Sequence, residues 1–498
     1  MSLWISSKSL ARRHGAYAIA RTASRLVKAT GTGCVGIVEQ FPWGPEGVYT
    51  FTDTKSLVDT FAPAGMNHLS AGYLALIGKA FPEARIVRVL ASGAAAATYT
   101  MLVGATSVAT VTAKYKGVAG NSITLTVATA SDGDSNHFNL TATVTGASGT
   151  TTEIYPNLNF SGTGADSVVN LTNSKLLASI TKGTSGRPTS GTYSMTGGSD
   201  GTVTAADYVG TQGTGNKGVA LLEGEKSVRI VCCGDCGNTF RATVNAGLAS
   251  HAIYMGDRVA FINGDSGQTV AQAVTNVATY TRSEYVVYCA PWFYTYDDVT
   301  GALQLVPPSP MMASLAALTS PSTSIAWKDS EQGDKLARIV RLETDYGNGA
   351  ADCTEAGIAC FIREEDGGYR VEAGVTTIAP SDPSKKNLTR TRMGIYIASS
   401  LMKAMRPFTD APNVAANHVP MLGMTQNLLE DLKKAATNNP NHSPHIEDYA
   451  LLSPDLFNSS TELAAGDYTI PIDVKVSSAQ ERIFLSIQHG ESVVVKAA

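Results

Sequence analysis

Ala84-Arg-Ile-Val-Arg-Val-Leu90 is a β-branched run, and within ten residues of it the text of the chain changes. Its pattern is that of a central strand. Upstream lie a second buried-strand run, Val35-Gly-Ile-Val38, and two segments with helical patterning, Leu57–Phe61 and Leu69–Phe81. Strand, helix, strand indicates an α/β layer. From Thr98 to Lys217 the chain is rich in Thr, Ser and Gly and poor in charge. Short alternating runs appear there at Ser107–Ala113, Ser122–Thr129, Phe138–Val144 and Thr151–Leu158, with turns at Asp132-Gly133, Gly146–Gly149 and Gly197–Gly201. These predict an antiparallel β domain, in which only Ser174–Thr181 reads as helical. The α/β pattern then resumes. Ser227–Cys232, His251–Ile262 and Ser283–Ala290 read as strands, and Thr239–Gly247, Gln268–Ala278 and Pro310–Leu318 as helices. The β domain is therefore an insertion into an α/β core. Gly357–Arg363, Tyr369–Glu372 and Val375–Ile378 read as further strands, and 321–352 as irregular.

From Asn387 the character changes again. Leu388–Met405 is a predicted helix with Met393, Ile397, Leu401 and Met405 on one stripe and Arg390, Arg392 and Lys403 outside it. Met424–Ala436 is a second, amphipathic helix, in which Glu430 can pair with Lys434. A polar loop through Tyr449 leads to the terminal strands. Tyr468–Val476 alternates strictly, followed by Ile483–Ile487 and Val493–Val495. Strands at a chain end need a partner, because a bare edge invites aggregation. That partner is either the chain's own sheet or another subunit's. The expected organisation is an α/β multi-domain fold. Residues 1–30 form an N-terminal arm, 31–96 with 218–375 the α/β core, 97–217 the inserted antiparallel β domain, and 376–498 an α+β C-terminal domain ending in an extended arm.

The chain has 498 residues, a prior of roughly three domains, with 16% charged residues and a net charge of −4. Typical domains carry about 25% charge. That balance offers no broad electrostatic case for nucleic acid or an anionic membrane. No apolar run has the length of a transmembrane helix. Lys8, Arg12 and Arg13 follow the short apolar start instead of preceding it, the wrong order for a secretory signal, so synthesis in a cytoplasm is expected.

Sequence motifs for catalysis are missing. Gly31-Thr-Gly-Cys-Val-Gly36 resembles a phosphate loop only loosely. No Lys-Ser/Thr follows, and Phe41-Pro-Trp-Gly-Pro45 breaks the helix that such a loop needs. Seven cysteines include Cys232-Cys-Gly-Asp-Cys236. Cys233-x-x-Cys236 has the spacing of a redox pair or of half a zinc site. With no second half at a zinc-ribbon distance, buried or loop thiols are the preferred reading. His442 and His445 in a polar loop, and Glu364-Glu-Asp366 before Gly367-Gly368, read as solvated. No nucleophile elbow, zinc-protease or Walker motif appears. No catalytic, cofactor or metal residue is assigned, and the chain is read as a non-enzyme. The competing readings are a β-rich surface adhesin with an α/β domain and a hydrolase with a β insertion.

The order of features resembles contractile-tail sheath proteins of bacteriophages and related injection machines. The likeness runs from Gly15-Ala-Tyr17 through Val35–Val38, the Trp43-Gly-Pro45 turn and Ile86–Val89. It continues with Lys116-Gly-Val-Ala-Gly-Asn-Ser-Ile123 opening the insertion, Glu153-x-Tyr155-x-Asn157-Leu158 and Gly197-Gly-Ser-Asp-Gly201. Ala290-Pro-Trp292 leading to Val306-Pro-Pro-Ser309, and Leu388-Thr-Arg-Thr-Arg-Met393 opening a long helix, complete it.

The resemblance implies a virion tail-sheath subunit assembled in a host cytoplasm, or the sheath of a non-viral injection system. Such subunits polymerise with themselves as hexameric rings stacked helically around a tail tube protein. They meet baseplate and tail terminator proteins, and contract to drive the tube through the host envelope for DNA ejection. They contact no nucleic acid directly, insert in no membrane and need no cofactor. The resemblance places inter-subunit β-augmentation on Tyr17 and Ile19 of the N-terminal arm. It does the same for Ile470, Ile472, Val474, Ile483, Leu485, Ile487, Val493 and Val495 at the C-terminus. The insertion would face outward, and Glu430, Asp431, Lys433 and Lys434 are candidate tube contacts.

Overall fold

A computed structural model of the chain describes residues 3–5, 17–19 and 33–476, apart from 64–65, 67–70, 77–81, 147–148, 163–164, 299, 327–335, 337, 366 and 435–444. The described residues divide into two compact units. One lies within 31–392; the other gathers 393–476 with two short N-terminal strands. Those strands, β1 (Leu3–Ile5) and β2 (Tyr17–Ile19), pair in parallel.

The larger unit is built on an eight-stranded sheet. Its first members are β3 (Cys34–Glu39), β4 (Val48–Phe51) and β5 (Glu83–Arg88). Helix α1 (Thr54–Phe61) starts where the Asp53 carboxylate accepts the Ser56 amide at 2.8 Å, and buries Leu57 and Phe61; α2 (Ala71–Leu76) follows. The chain then leaves the sheet for the β domain: β6 (Ala96–Val103), β7 (Thr106–Lys116), β8 (Thr124–Thr129), β9 (His137–Gly146), β10 (Gly149–Asn159), β11 (Leu177–Lys182) and β12 (Gly191–Ser194). These form two antiparallel sheets, β10-β9-β8-β12 and β11-β7-β6, around one core that includes Val111, Leu125, Phe138, Leu140 and Leu177. Helix α3 (Ala205–Val209) leads back to the large sheet.

The return supplies β13 (Ile230–Cys233), α4 (Gly237–Met255), β14 (Val259–Asn263), α5 (Val270–Val277) and β15 (Val286–Ala290). A small sheet of β16 (Phe293–Tyr296), β17 (Leu303–Val306) and β18 (Arg341–Leu342) follows, with α6 (Pro308–Leu318) between its members. Then come α7 (Ala350–Ala356), β19 (Ile358–Arg363) and β20 (Tyr369–Val371). The large sheet runs β20-β19-β15-β14-β13-β3-β5-β4. Its six inner strands are all parallel, and only the two edges are antiparallel. Strands buried on both faces read as continuous apolar runs, and β3, β13, β14 and β15 are buried along their whole length. The fully buried Arg258 donates to the Leu222 carbonyl at 2.8 Å and lies beside His251. Burial and that guanidinium hold the His251 imidazole down at a pKa of about 4.

The chain leaves this unit through α8 (Leu388–Met405), with the division at Arg392/Met393. The smaller unit continues with α9 (Ala415–Lys434), β21 (Asp448–Leu451), α10 (Ser460–Ala465) and β22 (Ile472–Lys475). β21 and β22 pair antiparallel. Ile397, Leu401, Leu428, Leu429 and Leu432 form its core, against which Tyr449, Leu451, Ile472 and Val474 pack.

Several local expectations give way to tertiary forces. Ser174–Thr181 is not helical. Glu153 takes the Ser174 hydroxyl at 2.6 Å, and Leu177–Lys182 adds to β7 as an antiparallel strand. Pairing and burial of Leu177 override the helical spacing. His251 belongs to α4, which runs on until Gly256 ends it in a left-handed cap at φ 63°; the strand begins only at Val259. Of Val375–Ile378, only Val375 makes an isolated bridge, to Asn387. Thr377 instead ties across to β15 through the Val286 carbonyl at 2.9 Å. The loop through Tyr449 is strand β21. α9 begins at Ala415, ahead of Met424, and includes Pro420, whose missing N–H costs one helical bond. Glu364 is not merely solvated, because it pairs with Arg370. Of Leu69–Phe81, residues 71–76 are helical and 77–81 lie outside the described residues.

Candidate functional site

The strand order of the large sheet reverses between β3 and β13, the place where doubly wound sheets bind their ligands. Here the carboxylate of Glu39, 2% exposed at the end of β3, occupies that place and accepts the Gly72 amide of α2 at 2.9 Å. A Cβ on Gly72 would stand 2.1 Å from Glu39 Oε2, and one on Gly234 would stand 2.2 Å from Glu39 Cδ. The crevice is thus filled by the chain's own carboxyl side chain, and both glycines leave it room. Gly36, which gave the upstream segment its phosphate-loop look, is a sheet-packing residue: a Cβ on it would meet Leu222 at 2.6 Å. Cys233 ends β13 and Cys236 is the N-cap of α4. Both thiols are buried and free. Among the described residues, no group of three or more His, Cys, Asp and Glu could hold a metal. His442 lies outside them.

The second site is a neck between the large sheet and the β domain. Arg88, at the end of β5 and 5% exposed, donates to the carbonyls of Phe41 at 2.7 Å, Gly44 at 2.5 Å and Lys116 at 2.8 Å. Burial lowers its pKa to about 10, partly offset by Asp200 and Glu46, so it stays charged at neutral pH. One guanidinium therefore fixes the Phe41–Gly44 turn to the last residue of β7. Trp43 from the same turn enters the β domain's core and meets Tyr115 edge-on at 5.2 Å. Gly117 takes φ 128°, and a Cβ there would press on the Pro42 carbonyl at 2.6 Å, so only glycine fits.

Two motifs far apart in the sequence close the neck together. Asn121 donates to the Gly198 carbonyl at 2.9 Å and accepts the Gly198 amide at 2.8 Å. Asp200 accepts the Val118 amide at 3.1 Å, and Ala95 bridges Ser199. The chain enters and leaves the β domain through one connected knot of bonds.

The third site is an anchor. Arg392 was expected outside the apolar stripe of its helix, but it is 7% exposed. It donates to the carbonyl of Ala316, to Thr319 at 2.6 Å, and at longer range to Ser320 at 3.4 Å and Thr323 at 3.5 Å. These carbonyls close the C-terminal end of α6, where a cation is favoured by the helix dipole. Desolvation lowers its pKa to about 10. Nothing local in Thr389-Arg-Thr-Arg-Met393 separates this buried arginine from the exposed Arg390.

The assembly residues expected from the resemblance fall in three groups. Tyr17 and Ile19 lie on β2. Ile472 and Val474 lie on β22, half-buried on the inner face and alternating with exposed Asp473 and Lys475, while Ile470 precedes the strand. Ile483, Leu485, Ile487, Val493 and Val495 lie outside the described residues. Of the four charged residues on α9, Lys433 pairs with Asp448 at 2.7 Å and Lys434 with Glu430 at 3.3 Å. Tyr449 donates to Glu430 at 2.5 Å, and Asp431 is exposed.

Residues 201–377, from α3 through β20, match the family model described as the phage tail sheath protein central domain. Solved structures of similar fold include the sheath tail protein of Desulfitobacterium hafniense. It has a TM-score of 0.60 and 16% identity, over 88% of this chain and 93% of that one. The sheath tail protein of Listeria innocua gives 0.57 and 16%, over 90% and 96%. The helical sheath of the anti-feeding prophage in its contracted state gives 0.55 and 13%, over 95% and 98%. Comparison with curated proteins gives no match. The chain therefore carries the phage tail sheath central domain at residues 201–377 and shares the fold of contractile sheath proteins along most of its length.

Proposed function

We propose that this chain is the sheath subunit of a contractile tail. In this reading, copies stack as hexameric rings around a tail tube, held by strands exchanged between neighbours, and contraction drives the tube through a host envelope. The observation that carries it is the sheath central domain at 201–377, set in a fold shared with sheath proteins over 88% or more of the chain. The likeness to the anti-feeding prophage sheath supports a second reading, the sheath of an injection system that ejects no genome.

In the proposed assembly, residues 31–96 with 218–375 form the ring body, 97–217 project outward, and 376–498 with 1–30 polymerise on the inside. Main-chain bonds in a donated strand contribute about 0.5–1.5 kcal/mol each, so the strength of the lattice comes from repetition. Among the described residues, β21 and β22 make a two-stranded ladder, which is marginal alone and suits completion by further strands. Electron microscopy of the purified chain should show long hollow cylinders. Truncation after Ser478 should leave a folded, soluble subunit that forms none. Cylinders from the truncated chain, or its failure to fold, would refute the strand-exchange reading. For the tube contact, charge reversal at Lys433 and Lys434 should abolish co-assembly with the tube protein; intact co-assembly discards that role.

A further inference from the structure

Cys233-Gly-Asp-Cys236 is left unused by the sheath reading, and its placement is specific. Cys232 and Cys233 are neighbours on β13, so their side chains leave opposite faces of the sheet. Cys233 shares a core with Cys236, and Cys232 does not. Cys233 closes β13 and Cys236 caps α4 three residues on, both within that one core. Cys236 sits on the first, positive end of the 19-residue α4, with Arg241 on the following turn. Gly234 and Asp235 between them form the strand-to-helix turn, and Asp235 accepts the Gly237 amide at 2.8 Å. Two sulfurs, one turn and a helix N-terminus are thus brought together by backbone geometry.

We infer that Cys233 and Cys236 are a dithiol that hydrogen peroxide converts to a disulfide, with Cys236 attacking and Cys233 resolving. The Cys236 thiolate attacks one peroxide oxygen. The O–O bond breaks, the departing hydroxide takes a proton to become water, and Cys236 becomes a sulfenic acid. Cys233 sulfur then attacks Cys236 sulfur. The S–S bond forms, the S–O bond breaks, and the second water leaves with the Cys233 proton. Two thiols are oxidised by two electrons in all, and one peroxide is reduced to two waters. The roles follow from placement: Cys236 is 8% exposed and Cys233 is 1% exposed. The neighbouring Cys233 sulfur and the Arg241 cation hold the Cys236 thiol below its ordinary value against the effect of burial, whereas the Cys233 thiol is raised by Cys236 and by burial. Low pKa and access together select the attacking cysteine.

The chain contains its own comparison. Cys353 on α7 and Cys360 on β19 also share a core, but both are 0% exposed, and the Cys360 thiol donates to the Ala350 carbonyl at 3.9 Å. The test is peptide mapping of the full chain after peroxide treatment and alkylation. The expected result is a Cys233–Cys236 crosslink, reversed by dithiothreitol, while Cys353 and Cys360 are alkylated only after unfolding. C233S should stop at the sulfenic acid, giving a dimedone adduct on Cys236, and C236S should give neither product. Crosslinking of Cys353 to Cys360 first overturns the inference. So does an absence of Cys236 oxidation in wild type and C233S while surface methionines become sulfoxides.

Discussion

Replacing Arg392 by Met keeps most of the side-chain length and removes the guanidinium, so it isolates the anchor. Two of its bonds, to Ala316 and Thr319, are short, and two, to Ser320 and Thr323, are long. Counting only the short pair at about 2 kcal/mol each, with about 1–2 kcal/mol for a cation at a helix C-terminus, the variant loses about 5–6 kcal/mol. Against this stands the burial of the charge. A pKa held near 10 instead of 12.5 corresponds to about 3 kcal/mol, which the variant recovers. The net is about 2–3 kcal/mol of local stability. At about 1.4 kcal/mol per tenfold, amides at the end of α6 and the start of α8 should exchange with deuterium about 30- to 150-fold faster. Peptides of the β domain should be unchanged. Arg392→Lys keeps the charge but is a point donor that cannot serve both short carbonyls as a fork does, so its exchange should fall between the two. Exchange in R392M indistinguishable from wild type would refute the anchor, because the cost of burial would then cancel every bond the residue makes.

Asn121→Ala removes both bonds to Gly198 and should cost about 2 kcal/mol, read as faster exchange of the Gly198 amide and easier proteolysis at the neck while β13–β15 stay protected. His251 gives a pH test. Its pKa is about 4 folded against 6.5 in the unfolded chain, so the unfolded state binds the proton first as pH falls. The stability this histidine contributes is whole above pH 6.5 and lost between 6.5 and 4, by up to about 3 kcal/mol. His251→Gln should flatten that part of the urea-midpoint profile.

The inner strands were legible because each is an apolar run with turn residues at its ends, and Val35–Val38, Ala84–Leu90 and Ser283–Ala290 all seed strands of the large sheet. The short strands between β5 and β13 were legible from their alternation and their Gly turns. β11 and β21 were not, because each is a strand only by virtue of the partner it finds, β7 or β22. The decisive polar residues were the least visible. Glu39, Arg88 and Arg392 are ionisable side chains whose burial depends on carbonyls and amides contributed from elsewhere in the fold. No local pattern marks such a residue. Asn121 and Gly198 were each quoted as part of a motif, but their mutual contact spans 77 positions and appears only in the fold.

The neck has a consequence for how such a chain changes over generations. Both ends of the β domain are clasped beside one another at Ala95 and Ser199, with Arg88 and Asn121 completing the clasp. Changes in the loops beyond that clasp, away from the core that Trp43 enters, leave the bonds of the clasp and the parallel ladder untouched. Selection can therefore rewrite the domain's surface, Thr by Thr and loop by loop, at a tempo separate from that of the sheet that carries it.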